Sequence, residues 1–283
     1  MQLSMGGHTP VDLSIALLRE YEPAEGYHLA FSGGKDSVTL LHLARLAGVR
    51  FDAHYNMTTI DPPELLRFMR ANFPEVAWER PERPFVQAVR EKGLPTRTVR
   101  WCCKDYKERG GEGRVVLTGI RAEESRYRAK RGQVEACTRR RGWFVHPLRD
   151  WSTADVWQFH AEEALPHCSL YDEGWERIGC IVCPFEARVG RSMARWPQVW
   201  ELTRKASAVY FERSEAAQSR FADAGAFWAW WLDRYAPYPG ITGEDEEAQL
   251  CLFSAGMGGE VAEGQAVMAA LRDRGGVAAE CSE

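Results

Sequence analysis

Six consecutive residues, Ser32-Gly33-Gly34-Lys35-Asp36-Ser37, follow the apolar run Tyr27 to Phe31 and lead into a segment with helical spacing, Ser37 to Leu46. A strand that feeds a glycine turn and then a helix sets the first helical N–H groups, and the positive end of the helix dipole, beside that turn. Such a turn is suited to an anion. Lys35 adds a full positive charge, and the hydroxyls of Ser32 and Ser37 can donate to phosphate oxygens. Asp36 makes sense if it holds Mg²⁺ or orders the loop. The spacing is not that of G-x-x-x-x-G-K-[ST], because the lysine follows the glycines directly. A plain strand-to-helix turn would use the glycines for tightness, but it has no need of the whole string.

The surrounding pattern alternates. Val11 to Tyr21 has helical apolar spacing, Phe51 to Tyr55 reads as a second strand, and Pro63 to Asn72 as a helix opened by Asp61 as N-cap. Val76 to Trp78 reads as a third strand, Phe85 to Lys92 as a short helix, and Val115 to Thr118 as a later strand. Strands alternating with helices imply an α/β fold with a doubly wound parallel sheet. Beyond about residue 150 the pattern turns helical: Ala154 to His160, Pro197 to Phe221, and Phe227 to Tyr235, which carries three of the chain's 11 tryptophans. We read 1–185 as a nucleotide-binding domain and 186–283 as a helical extension, with a loosely held tail from 236 and a helix over Gly264 to Arg272.

Composition narrows the setting. The 283-residue chain is 45% hydrophobic and 27% charged, which excludes wholesale disorder and a fibrous repeat. Its net charge of −4 means that a polyanionic partner must be met by a local patch. No stretch is apolar for long enough to span a membrane, and Met1 to Pro10 lacks the pattern of a secretory leader, so the expected location is the cytoplasm.

In that reducing setting the eight cysteines are not read as disulfides. Cys102 and Cys103 are adjacent, and Cys180 and Cys183 form C-x-x-C, while Cys137, Cys168, Cys251 and Cys281 stand alone. Four thiolates suit tetrahedral zinc or an iron–sulfur cluster. Neighbouring side chains diverge, which fits a zinc knuckle poorly. A cubane accepts ligands from several directions, so Cys102, Cys103, Cys180 and Cys183 are expected to hold a [4Fe–4S] cluster rather than zinc.

The hexapeptide resembles the PP-loop of the N-type ATP pyrophosphatases, which share an adenine nucleotide alpha hydrolase-like fold and split ATP between its α- and β-phosphates. That resemblance implies that Ser32, Gly33, Gly34, Lys35, Asp36 and Ser37 cradle pyrophosphate. A C-C pair followed much later by C-x-x-C is similar to the cluster ligation of the phosphoadenosine phosphosulfate (PAPS) reductase family. Gly119-Ile120-Arg121-Ala122-Glu123-Glu124-Ser125-Arg126 resembles that family's G-x-R-x-x-E-S element, with Arg121 expected near the phosphates. His146 to Trp157 resembles its P-L-x-D-W-x-x-x-D-V-W element. The matches run from about residue 28 to 185. The family also places groups near the adenosine after the second strand, which brings in Asn56, Thr58 and Thr59.

Other features have plainer readings. Arg121 to Arg141 is rich in arginine: either a solvated face or a gate over an anionic substrate, such as a nucleotide sulfate or a nucleic-acid backbone, with Arg97 and Arg100 extending it. The histidines read as core or surface residues. The Trp-rich stretch reads as core or a lid, with base stacking as the alternative.

Two functions fit this scaffold. In the first, ATP is cleaved to AMP and pyrophosphate to activate an acceptor for sulfur transfer, with Lys35 and Arg121 stabilising charge, Asp36 assisting Mg²⁺, and Gly119 beside the nucleotide. The acceptor would be nucleic acid or a small molecule, and a sulfur-donor protein is implied. In the second, a sulfonucleotide is reduced to sulfite with thioredoxin. The reductases carry their nucleophile in a C-terminal E-C-G-L-H element, and here Glu280-Cys281 is present without Gly-Leu-His. ATP activation is therefore the leading expectation, with a non-catalytic nucleotide-binding module as a third reading.

Overall fold

Thr9 opens the first helix, α1 (Pro10–Glu20), through reciprocal bonds: Asp12 N–H donates to the Thr9 hydroxyl and Thr9 N–H to the Asp12 carboxylate. Pro10 sits in the first turn, where its missing N–H costs nothing. A computed structural model describes residues 7–137, 142–186 and 188–233. The expected helix over Gly264 to Arg272, Cys281 and Arg139 to Arg141 lie outside the described residues.

Next come β1 (Tyr27–Phe31), α2 (Lys35–Ala47), β2 (Phe51–Asn56), α3 (Pro63–Asn72), β3 (Ala77–Glu79) and α4 (Phe85–Lys92). A wide π-helical turn, Cys103–Lys107, precedes β4 (Val115–Leu117). After a short α5 (Arg126–Ala129), β5 (Val134–Cys137) and β6 (Gly142–Val145) form a hairpin that runs into α6 (Thr153–Glu162). The chain then adds α7 (Val189–Arg195), α8 (Pro197–Arg213), α9 (Glu215–Gln218) and α10 (Ala224–Leu232).

The six strands form one sheet in the order β3-β2-β1-β4-β6-β5, parallel throughout except for β5, which is antiparallel to β6 at the edge. The fold is thus α/β with a mostly parallel sheet. The chain winds from β1 to β2 and β3 on one side, then returns to β1's other flank with β4. This reversal opens a crevice beyond the carboxyl ends of β1 and β4, where α/β sheets of this kind bind ligands. The loops ending β1 and β4 carry Ser32–Gly34 and Gly119–Arg121, so topology alone brings together two segments far apart in sequence.

Helix α2 is buried on several sides, at Val38, Leu40, Leu41, Leu43 and Ala44, because it packs on β1, α1 and α6 at once. Its C-terminus closes on Gly48 in the left-handed region. Helix α8 lies along α4, and Trp200, Trp228 and Trp231 join the same apolar cluster as Leu29 and Leu117. Trp231 donates its indole N–H to Pro95 O at 2.6 Å. The tryptophans are core.

Three expectations need correction. Asp61 does not cap α3: Pro62 holds that position, and the Asp61 carboxylate instead accepts from Thr58 N–H at 2.8 Å, closing a turn. The helix expected over Pro197 to Phe221 breaks at Ser214, whose hydroxyl starts α9 by accepting from Ala217 N–H. Among its described residues, the arginine-rich segment holds α5 and β5 rather than a single loop or helix. Among the described residues, no helix is long and apolar enough to cross a membrane.

Candidate active site

Gly33 turns the chain out of β1 with φ of +73°, and a Cβ there would lie 2.5 Å from Met69 Sδ. Its lack of a side chain therefore lets the loop press on α3. Gly34 faces the other way, into the crevice, where a Cβ would sit 3.4 Å from the Tyr171 hydroxyl. A Cβ on Gly119 would meet the Asp36 carbonyl at 3.1 Å, so glycine there lets the loop after β4 run against the start of α2.

Three charged side chains named from the sequence form one network. Asp36 accepts from Arg121 Nε at 2.6 Å through one carboxylate oxygen and from Lys35 Nζ at 3.2 Å through the other. Arg121, only 4% exposed, also pairs with Glu123 at 2.8 Å. The Glu123 carboxyl is held below its usual value first by the Thr153 backbone N–H and also by Arg121. A buried guanidinium needs such partners, because an unpaired charge there would cost several kcal/mol, roughly 3–5. Nearby, the Ser32 hydroxyl donates to Ser37 Oγ at 3.2 Å, and Ser37 donates to Gly34 O at 2.9 Å. Both serine hydroxyls are thus engaged within the loop.

Two residues at this point carried no signal in the sequence. Lys35 N–H, the first of α2, donates to the Tyr171 hydroxyl at 3.0 Å, and the Lys35 ammonium lies 5.7 Å from the centre of the Tyr171 ring. His160 Nε2 lies 3.0 Å from Lys35 O, and burial lowers its pKa, which favours the neutral ring as donor.

The thiols arrive on two segments. Cys102 and Cys103 lie where the chain widens from an α-turn into the π-turn. Such single-turn widenings re-aim side chains and recur at functional sites. Cys180 and Cys183 lie in a turn pinned by Ile181 N–H to Ile60 O at 2.9 Å, and Phe185 N–H donates to Cys183 Sγ at 3.5 Å. All four are free thiols. A hydrogen bond between the adjacent pair drives Cys103 toward the thiolate, helped by Lys107 and Arg100, and pushes Cys102 up. Burial pushes the Cys180 thiol up to about 11. Lys107 is held in its charged form chiefly by Cys180; it follows Cys103 by four residues, a helical spacing that could have flagged it.

One cavity of about 910 Å³ joins these parts. Its walls include Lys35, Asp36, Gly119 and Arg121 together with Cys102, Cys103, Cys180 and Cys183. Arg100, Lys107, Arg128 and Arg177 also face it, so only part of the arginine-rich stretch turns inward. Arg131 is turned to Glu135 and Phe144 instead. Thr58 lines the cavity, beside Cys180. Asn56 holds the backbone of the cysteine segment, donating to Arg109 O at 3.0 Å and Lys107 O at 3.4 Å. Thr59 has φ of +65° and accepts from Phe85 N–H at 2.8 Å.

His28, Asp52 and His54 bring three ligand-capable atoms within 4.8 Å of one another and are the group of described residues that does so. An ion there is opposed by Arg114, which holds both Asp52 oxygens, and by the stacking of the two imidazoles at 4.3 Å and 18°, which leaves their lone pairs parallel. Four thiols form a soft donor set suited to zinc or to an iron–sulfur group. The hydrogen bond between Cys102 and Cys103 brings these neighbouring thiols together, where the sequence reading expects them to diverge.

The sequence pattern of the phosphoadenosine phosphosulfate reductase domain matches residues 26–186, more than half of the chain. The chain belongs to the PAPS reductase family. The matched span runs from the start of β1 to the end of the second cysteine turn. An uncharacterised Methanocaldococcus jannaschii protein is 29% identical over 219 residues, 71% of this chain and 45% of that protein. An adenosine 5'-phosphosulfate reductase of Bacillus cereus is 26% identical over 181 residues, 58% of this chain and 75% of that enzyme. The chain spans less than half the length of its Methanocaldococcus relatives. Among solved structures, a Candida auris PAPS reductase in a phosphate complex aligns with a TM-score of 0.43 at 18% identity, covering 64% of this chain and 97% of that one. A Candida glabrata FMN adenylyltransferase in complex with ATP aligns with a TM-score of 0.44 at 16% identity, covering 60% of each chain.

Proposed function

We propose that this PAPS reductase family member binds an adenine nucleotide with its phosphates at Ser32–Ser37 and uses it for sulfur chemistry beside a [4Fe–4S] cluster on Cys102, Cys103, Cys180 and Cys183. The observation that carries this reading is the single cavity shared by the phosphate loop and the four thiols. With ATP, an acceptor oxygen attacks the α-phosphate, the bond to the bridging oxygen breaks, and pyrophosphate leaves with AMP on the acceptor. Lys35 and Arg121 offset the charge that grows on the phosphate oxygens. Asp36 orders the loop by holding both cations, and Mg²⁺, the other expectation for it, would use the lone pairs its two oxygens keep free. The cluster supplies a redox-active, sulfur-rich surface, and Lys107 and Arg100 set positive charge beside its ligands. Arg128, where the basic stretch lines the cavity, is proposed to face the acceptor, a nucleic acid or a small molecule, with a separate protein as sulfur donor.

The adenosine 5'-phosphosulfate reductase relative favours a second reading. There a cysteine thiolate attacks the sulfate sulfur, the sulfur–oxygen bond to the nucleotide breaks to release AMP, and thioredoxin thiols then free sulfite from the S-sulfocysteine. Cys281 is the proposed nucleophile.

One experiment separates the two. Anaerobically purified protein is given ATP with Mg²⁺ and a candidate acceptor, or either sulfonucleotide with thioredoxin, and pyrophosphate and sulfite are assayed. Acceptor-dependent pyrophosphate supports adenylylation. Sulfite that vanishes in Cys281→Ser establishes reduction instead. A brown protein absorbing near about 400 nm is expected, and a colourless one with stoichiometric zinc refutes the cluster.

A further inference from the structure

The first N–H of a helix is the seat an incoming phosphate oxygen would take, and here it is occupied. Lys35 N–H, at the start of the 13-residue α2, donates to the Tyr171 hydroxyl at 3.0 Å. Gly34 has no side-chain cap to offer that helix, and a Cβ on it would be in ordinary contact with the Tyr171 hydroxyl at 3.4 Å. A hydroxyl oxygen therefore stands where a phosphate oxygen would be.

Tyr171 is held there from several directions. Trp157 meets its ring edge-on at 5.1 Å and His167 at 6.4 Å, while the Lys35 ammonium lies near its face. Its backbone is folded into a turn, with Tyr171 N–H donating to Cys168 O at 3.0 Å and Gly174 N–H to Tyr171 O at 2.9 Å. Burial keeps the phenol protonated well above neutral pH. It is a neutral, seated acceptor that competes with any ligand oxygen for the same hydrogen.

We propose that Tyr171 determines which phosphate chain the loop accepts: a polyphosphate must displace its hydroxyl from Lys35 N–H, whereas a nucleotide ending in one phosphate leaves it in place. This rests on the reading above that Ser32–Ser37 receives the outer phosphates. Tyr171 is then a specificity determinant, because it sets a cost on polyphosphate binding that a monophosphate does not meet. Removing the hydroxyl alone lifts that cost while the ring keeps its packing.

The test is Tyr171→Phe in the full chain, with inorganic pyrophosphate, ATP and AMP titrated by calorimetry. One intramolecular hydrogen bond is worth about a fivefold change in a dissociation constant. Pyrophosphate and ATP are therefore expected to bind about fivefold more tightly to the variant, with AMP unchanged. Weaker or unchanged pyrophosphate binding overturns the proposal, and so does an equal gain for AMP. If wild type and variant bind AMP but neither pyrophosphate nor ATP, the polyphosphate reading falls as well. Should the variant fail to fold, the Lys35 amide resonance of the wild type is followed instead: a shift on adding pyrophosphate but not AMP supports the exchange, and any other pattern refutes it.

Discussion

At the scale of single residues, the site depends on where side chains are missing as much as on where they are present. Gly33 combines a left-handed backbone with a Cβ position 2.5 Å from Met69 Sδ, so Gly33→Ala should lower stability by about 1–3 kcal/mol in urea unfolding. Adding Met69→Ala should relieve part of the crowding, with Leu65 Cδ1 still 2.9 Å from that Cβ and the backbone strain unchanged, leaving the double variant short of an additive loss. The need for these glycines was legible in the hexapeptide, but the reason was not. In the sequence both serve phosphate approach, whereas the fold uses Gly33 to pack on α3. Likewise, Lys35, Asp36 and Arg121 were readable as charges for a nucleotide, while their mutual pairing depends on the crossing of two distant loops. Tyr171 sits among Ser169, Leu170 and Asp172 with no pattern to mark it.

At the scale of elements, local periodicity carried far: β1, α3 and α4 have the bounds their apolar spacing implies, and the other early strands and helices fall within a residue or two. The β5–β6 pair was hidden because each strand is only four residues long and the arginines beside β5 leave little alternation to read. The π-turn was also invisible, since no residue type in Trp101 to Lys107 encodes the widening at Cys103. Between elements, Arg114 ties the start of β4 to Asp52 on β2. Its hydrogen bonds, then those of His54, hold the Asp52 carboxyl down to about 2. Because that value lies below the ordinary carboxylate range near about 3.9, the pairing stabilises the fold above that range and its contribution is lost as pH falls through about 2. Asp52 is 46% exposed, so solvent screening limits the effect to about 1 kcal/mol at most. The gap in unfolding free energy between wild type and Arg114→Met should hold steady above about pH 5 and close toward pH 2. A gap that persists at pH 2 would mean that Arg114 acts through packing.

At the scale of the whole molecule, the family pattern ends at residue 186 but the core does not. Helix α8 covers α4, and Trp231 reaches back to Pro95. A chain ending at 186 should therefore lose cooperative unfolding and bind a hydrophobic dye, with α4's apolar side uncovered. A sharp, two-state transition in that fragment would show that the later helices are dispensable. The front of the chain is stitched in as well: the Ser14 hydroxyl donates to Pro147 O at 2.8 Å and accepts from the Trp151 indole at 3.0 Å. The cysteine pairs add a different kind of tie. They come from widely separated stretches that line one cavity, so any prosthetic group bridging them would act as a removable staple. Stripping it would restore conformational freedom to both stretches together, and the entropy regained would register as a loosening on the nucleotide's side of the same chamber.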